Sequence, residues 1–206
     1  MVKQTSDQQI DLSDWSELYR ALDLDMFAKY SEFMKANEAV ITTSKKFWTI
    51  PVIEGVDCVK IIHTFDKLGV CIQDFYIDEL DDSLLVNERD PNKTGSYFVS
   101  FNRNKEIDQS FCFLSTDALI RERVNAITVP ERLLLGLQFF MITGEHLDTE
   151  GATFCMGSRF YDGDIPIIGY GGEFKGLYMD WLAPECSRKK TIQPRVAINR
   201  SLNIAQ

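Results

Sequence analysis

The sequence predicts a single α+β domain with a largely antiparallel sheet, N-terminal helices and one mostly buried central helix. Three observations predict it. Helical periodicity near the N-terminus gives way to short strand-like runs, returns in one long apolar helix at 128–143, and is followed by strands again. The regular strand–helix alternation of a parallel doubly wound sheet is missing from this order. The composition, 206 residues with 45% hydrophobic and 26% charged, suits one folded domain of ordinary to large size. Residues 1–206 are therefore read as one unit, and the stretch 103–110 is where a second boundary would fall.

The elements follow in order. Ser13 or Asp14 caps a first helix with Glu17 reaching back, and Trp15, Leu18, Tyr19 and Leu22 share one face. A second helix from about residue 25 carries Met26, Phe27, Tyr30, Phe33 and Met34 as its stripe. Such stripes are core contacts before they are ligand contacts. Residues 47–50 read as a strand ending at Pro51. Val59, Ile61, His63 and Phe65 alternate with Lys60, Ile62 and Thr64, which predicts a half-buried strand with His63 on its apolar face. A tight connection at 66–69 leads into a strand over 70–77. A hairpin is expected next, 84–88 with 96–101, turning through Asp90-Pro91 and Gly95. A further strand is expected at 111–114.

Ser115, Thr116 and Asp117 cap a short helix ending near Val124. Thr128-Val-Pro-Glu131 then has the form of a capping box, with Pro130 in the first turn. Leu133, Leu134, Leu135, Leu137, Phe139, Phe140, Met141 and Ile142 cover nearly the whole helix, and Gly144 stops it. Strands return at 153–156, 165–170, 174–182 and 195–198. In the third of these, Leu177, Met179 and Trp181 oppose Tyr178, Asp180 and Leu182.

Charge and cysteine usage bound the function. The net charge of −9 argues against a nucleic-acid binder, which needs basic surface to neutralise phosphates. The imbalance is local: residues 1–90 hold 18 acids and 9 bases, whereas 91–206 hold 13 of each. The acids are densest at 74–82, a solvated edge or, more sharply, a surface for a basic protein partner. Cys58, Cys71, Cys112, Cys155 and Cys186 form no C-x-x-C pair, which points to reduced thiols in a cytoplasmic protein. The N-terminus carries no apolar signal region, and the apolar run 133–142 is about half the length that spans a bilayer. The sequence names no cofactor.

Few residues suggest chemistry. His63 and His146 are the only histidines. Glu145, His146 and Asp148 carry ligand atoms, yet lack the fixed helical spacing of a metal motif, so His146 is read as a cation at a helix C-terminus. Cys155 lies near His146 in sequence, although strand cysteines are commonly buried and inert. The segment 157–176 is richer. Asp162-Gly-Asp164 sets two hard oxygen ligands in one step, Asp180 adds a third, and Arg159 offers a planar fork to a phosphate. Arg159, Asp162, Asp164 and Asp180 are thus the candidate binding residues, with metal-assisted hydrolysis or transfer as the alternative function. The same Asp and Gly residues are those a tight turn demands, and Gly171-Gly172 signals a hairpin rather than a phosphate loop. The favoured expectation is a soluble binding or interaction protein with an acidic N-terminal part.

Overall fold

The computed structural model describes residues 12–38, 46–73, 85–107, 109–171, 175–186 and 189–198. Helices α1 (Ser16–Leu22) and α2 (Leu24–Ala36) open the chain, each with an aspartate at its start. The Asp14 carboxylate accepts from the Ser16 N–H, and that of Asp23 accepts from Met26. Their apolar stripes meet the core as the spacing requires: Trp15, Leu18, Tyr19, Leu22, Met26 and Tyr30 are buried. Tyr19 and Tyr30 stack with ring centroids 4.8 Å apart. Strand β1 (Phe47–Val52) follows and passes through Pro51 instead of ending there.

The alternating stretch after it is a helix, α3 (Cys58–Lys67), not a strand. Asp57 caps it through the Val59 N–H, and Cys58, Ile61, Ile62 and Phe65 form a buried i, i+3, i+4, i+7 face. On that cylinder His63 points outward and is exposed, contrary to the buried position expected of it. After β2 (Ile72–Gln73), residues 74–84 lie outside the described residues, among them the acidic stretch 74–82 and the end of the strand expected at 70–77.

The hairpin expected at 84–101 also does not form. Strand β3 (Leu85–Asn87) and strand β4 (Tyr97–Asn102) are separated by a one-turn helix, α4 (Pro91–Thr94), which Asp90 caps. Each strand pairs elsewhere, because Asp90-Pro91 fits a helix start as well as a turn. The β4 strand lies antiparallel to β1, from Phe47 opposite Asn102 to Val52 opposite Tyr97. The segment 111–114 is no strand either; Gln109–Phe111 make a single 3-10 turn.

Helices α5 (Thr116–Arg121) and α6 (Val129–Thr143) match their caps. Ser115 accepts from the Ala118 N–H. Thr128 and Glu131 close the reciprocal capping box, and Gly144 ends α6 in the left-handed conformation. Every residue from Val129 to Phe139 is buried. Beyond α6 come β5 (Ala152–Phe154), β6 (Ser158–Phe160), β7 (Ile165–Gly171), β8 (Gly176–Leu182) and β9 (Ile192–Gln193). Strands β7 and β8 form the expected hairpin, pairing from Ile165–Leu182 to Gly171–Gly176; its tip at 172–174 lies outside the described residues. The strand expected at 195–198 is reduced to one bridge between Val196 and Ala126.

The main sheet has the order β2-β8-β7-β5-β9, antiparallel in its middle and parallel at both edges. Pairs β1–β4 and β3–β6 are antiparallel, so the fold is α+β with largely antiparallel pairing. The sheet separates two apolar clusters. Ile168, Leu177 and Met179 face the larger cluster with α6, whereas Ala152, Phe154, Ile165 and Ile167 face a smaller one with Leu119 of α5. The larger cluster draws residues from Leu12 to Ala197, on both sides of 103–110. Among the described residues no helix is long and apolar enough to cross a membrane.

Candidate functional site

Arg89, Arg132, Arg159 and Arg195 are all at least partly buried, and what each guanidinium touches separates scaffold from site. Arg89, just past β3, clasps Glu131 with Nε and Nη2, both at 2.7 Å. Its Nη1 donates to Asn125, and the Tyr97 hydroxyl donates to the same carboxylate at 2.9 Å. Burial works against the Arg89 charge, but Glu131 more than offsets it and raises the pKa. The same burial, with Glu131 alongside, pushes the Tyr97 hydroxyl upward.

Arg132 of α6 and Arg195 converge on Asp148. Arg132 Nη2 lies 2.8 Å from one carboxylate oxygen and Arg195 Nη2 2.5 Å from the other. Thr153 of β5 donates to Asp148 at 2.5 Å, and Arg195 also donates to the carbonyls of Asn104 and Lys105. All three charged side chains are essentially sealed from water. Burial alone would raise the Asp148 carboxyl, yet Arg195 and Arg132 overcome it and hold the group low. These bonds tie α6, β5, the 104–105 segment and the C-terminal segment together; no ligand can reach them. Cys155 belongs to the same interior. It is fully buried, and burial drives its thiol far above the range of a nucleophile.

Arg159 differs. It lies on β6 opposite Val86 of β3. Its Nη1 donates to the carbonyls of Met156 at 2.5 Å and Ser158 at 2.7 Å. Among the described residues no carboxylate comes within ion-pair distance of it, and Nε and Nη2 donate to no acceptor. Burial lowers its pKa, with Glu88 acting weakly the other way. The side chain borders a cleft of about 470 Å³ lined also by Glu88, Leu119, Ile120, Arg123, Val124, Asn125 and Met156. Glu88 owes its place to strand register. Its N–H donates to Gly157 O at 2.8 Å, extending the β3–β6 ladder, so it stands two residues from Val86 on the face that carries Arg159.

Arg123 enters from the other wall. The N–H of Arg123 bonds Ile120 O, and that of Val124 bonds Leu119 O, the paired bonds of a Schellman stop on α5. Arg123 occupies its left-handed position at φ 49°, where glycine is the usual residue. The chain matches no family model, no curated protein and no solved structure. The cleft is therefore argued from its own chemistry.

The other residues singled out by sequence lie apart from it. Asp162 accepts from the Asp164 N–H at 3.1 Å across Gly163, whose φ is 95°, so the Asp-Gly-Asp step is a turn after β6. Partial burial, then Asp162 and Glu185, raise the Asp164 carboxyl. Asp180 is opposite Ile167 on β8, and its carboxylate accepts from the Trp181 N–H. None of the three aspartates lines the cleft that Arg159 borders. Glu145 pairs with Lys105 at 2.7 Å while Asp148 holds its two arginines. Among the described residues no three His, Cys, Asp or Glu side chains come together in metal-ligating geometry.

His146 is not the helix-end cation expected of it. Its ring stacks on Tyr170 at 3.6 Å and on Phe140 at 4.7 Å. Burial there, with Arg132 and Lys105 nearby, pushes its pKa down to about 4, so the imidazole is neutral. Sequence reasoning missed Glu88 and Arg123. A left-handed helix stop was the available signal for Arg123, and Glu88 was hidden by the wrong partner assigned to its strand.

Proposed function

We propose that this chain is a binding protein that captures an anionic group in the cleft between α5 and the β3–β6 pair. One observation carries the reading. Arg89 pairs with the buried Glu131, and Arg132 and Arg195 share the buried Asp148, whereas Arg159 is half-buried at the border of the cleft with no carboxylate of the described residues paired to it. A desolvated cation of this kind is stabilised by any anion that reaches it. Arg123 adds a second positive charge at the rim, and Ile120 and Val124 give the ligand an apolar wall. The volume falls within the usual range of small-ligand sites.

The acidic N-terminal part supports a second contact, with a basic protein partner that salt would displace. A reducing, cytoplasmic setting fits the five free cysteines, two of them buried. The direct test follows the Arg159 side-chain Nε–H by NMR while acetate, benzoate and inorganic phosphate are titrated into the full chain. Saturable movement of that signal by at least one anion is expected. If it stays still for every anion at millimolar concentration, the reading fails.

A further inference from the structure

We infer that the ligand of this cleft is an α-amino acid with an apolar side chain, recognised through both of its charges; the inference rests on the anion-capturing reading above. The Nε and Nη2 donors of Arg159 form the edge of a guanidinium that matches a carboxylate with two parallel bonds. Its Nη1 is already fixed by the carbonyls of Met156 and Ser158, so the guanidinium is held in place before any ligand arrives. This preorganisation favours a planar carboxylate.

A plain carboxylate leaves one wall of the cleft unanswered. Glu88 is the diagonal neighbour of Arg159 on the β3–β6 ladder, a relation that spans roughly 7–8 Å between backbones. Arg159 senses its charge, but the two form no ion pair. The gap has a cation on one side and an anion on the other, and an ammonium group next to a carboxylate bridges it with the correct polarity. Ile120 and Val124 then meet the side chain, with Leu119 and Met156 buried behind them. A simple carboxylate answers the two arginines but leaves Glu88 unanswered, and a simple amine answers Glu88 but is opposed by Arg159 and Arg123. A zwitterion with an apolar body answers Arg159, Glu88 and the apolar part of the lining together.

Arg123 strengthens the case from an independent direction. The left-handed conformation is less favourable for an ordinary side chain than for glycine. An arginine kept in that position exchanges local stability for a charge at the mouth of the cleft.

The test compares L-phenylalanine with 3-phenylpropionate, which lacks the ammonium, phenethylamine, which lacks the carboxylate, glycine, which lacks the apolar body, and inorganic phosphate. Each is titrated against the full chain by calorimetry and by the Arg159 Nε–H signal. L-Phenylalanine should bind at least about tenfold more tightly than the other four, the effect of one charge-assisted contact. Arg159→Lys should lose about tenfold, because an ammonium cannot form the parallel pair. Glu88→Gln should weaken L-phenylalanine but not 3-phenylpropionate, a crossover that general damage to the fold cannot produce. Arg123→Gly should bind more weakly while its melting temperature holds or rises. If 3-phenylpropionate or phosphate binds as tightly as L-phenylalanine, the amino-acid inference is overturned while anion capture stands. If no compound moves the Arg159 signal, both are lost.

Discussion

The imidazole of His146 is held between Phe140 and Tyr170, with Arg132 and Lys105 as its nearest influential charges. A proton added there has rings above and below and positive charge alongside. Because the folded pKa is near 4 and the ordinary value is 6.5, the unfolded chain binds the proton more readily between those limits. The neutral ring therefore contributes its full stability above pH 6.5, and the contribution is lost as pH falls toward 4. Discounted for partial exposure, the loss should be about 1–2 kcal/mol. Urea unfolding of the wild type and His146→Phe between pH 4 and 7 should give curves that diverge on acidification. Parallel curves would contradict the assignment. Gly136 gives a second prediction at this scale. A Cβ there would sit 2.6 Å from Arg132 Nη1, and that guanidinium is pinned by Asp148 and Thr153. Gly136→Ala should therefore destabilise by about 1–3 kcal/mol in denaturant unfolding, beyond any gain in helix propensity. Arg159 was singled out in the sequence as a candidate binding residue. Its meaning was not, because it lies in the donors its neighbours leave free.

At the scale of elements, caps and the β7–β8 hairpin were legible, and pairing between strands distant in sequence was not. Ser115, Thr128, Glu131 and Gly144 mark helix ends through bonds within a few residues, and the structure has them in those roles. The stretch 58–67 satisfied two periods at once, and alternation won over the i, i+3, i+4 face that Cys58, Ile61, Ile62 and Phe65 bury. Partner choice was harder still, since β3 pairs with β6 some seventy residues on, and nothing local in 85–87 names that partner. The end of α5 joins the two lessons. Its Schellman bonds are local, but arginine in the left-handed position conceals them from a reader who looks for glycine. Arg123→Gly should raise the unfolding free energy by about 1 kcal/mol, measured by urea denaturation without ligand. A fall would mean that the Arg123 side chain holds the fold through contacts of its own. The capping box makes the opposite prediction. Thr128→Ala should cost about 1–2 kcal/mol, since the Glu131 N–H loses its acceptor inside the core.

Across the whole molecule, the interior is organised around charge as much as around apolar packing. Arg132 comes from the first turn of α6, Asp148 from the loop before β5, and Arg195 from the C-terminal segment. Through Arg195 the network also holds the carbonyls at 104 and 105, so distant parts of the chain close on one carboxylate. Its balance is two positive charges to one negative, and that ratio sets the order in which variants should fail. Arg195→Met leaves Arg132 and Asp148 as a matched pair and fills the vacated space, so the cost should be about 1–3 kcal/mol, mainly from the two abandoned carbonyls. Asp148→Asn fits the same left-handed backbone position, at φ 57°, yet leaves two buried guanidiniums without a counter-charge. Its cost should be larger, about 3–5 kcal/mol. The wild-type contribution of Asp148 is full above the ordinary carboxyl value of 3.8, because the folded group is held below it, and it disappears only as pH falls through the folded value. Urea unfolding at pH 7 should therefore rank wild type above Arg195→Met and Arg195→Met above Asp148→Asn. If Arg195→Met proves the more damaging, the backbone bonds at 104 and 105 outweigh the charge balance, and the network is a clamp on that segment first and an ion cluster second.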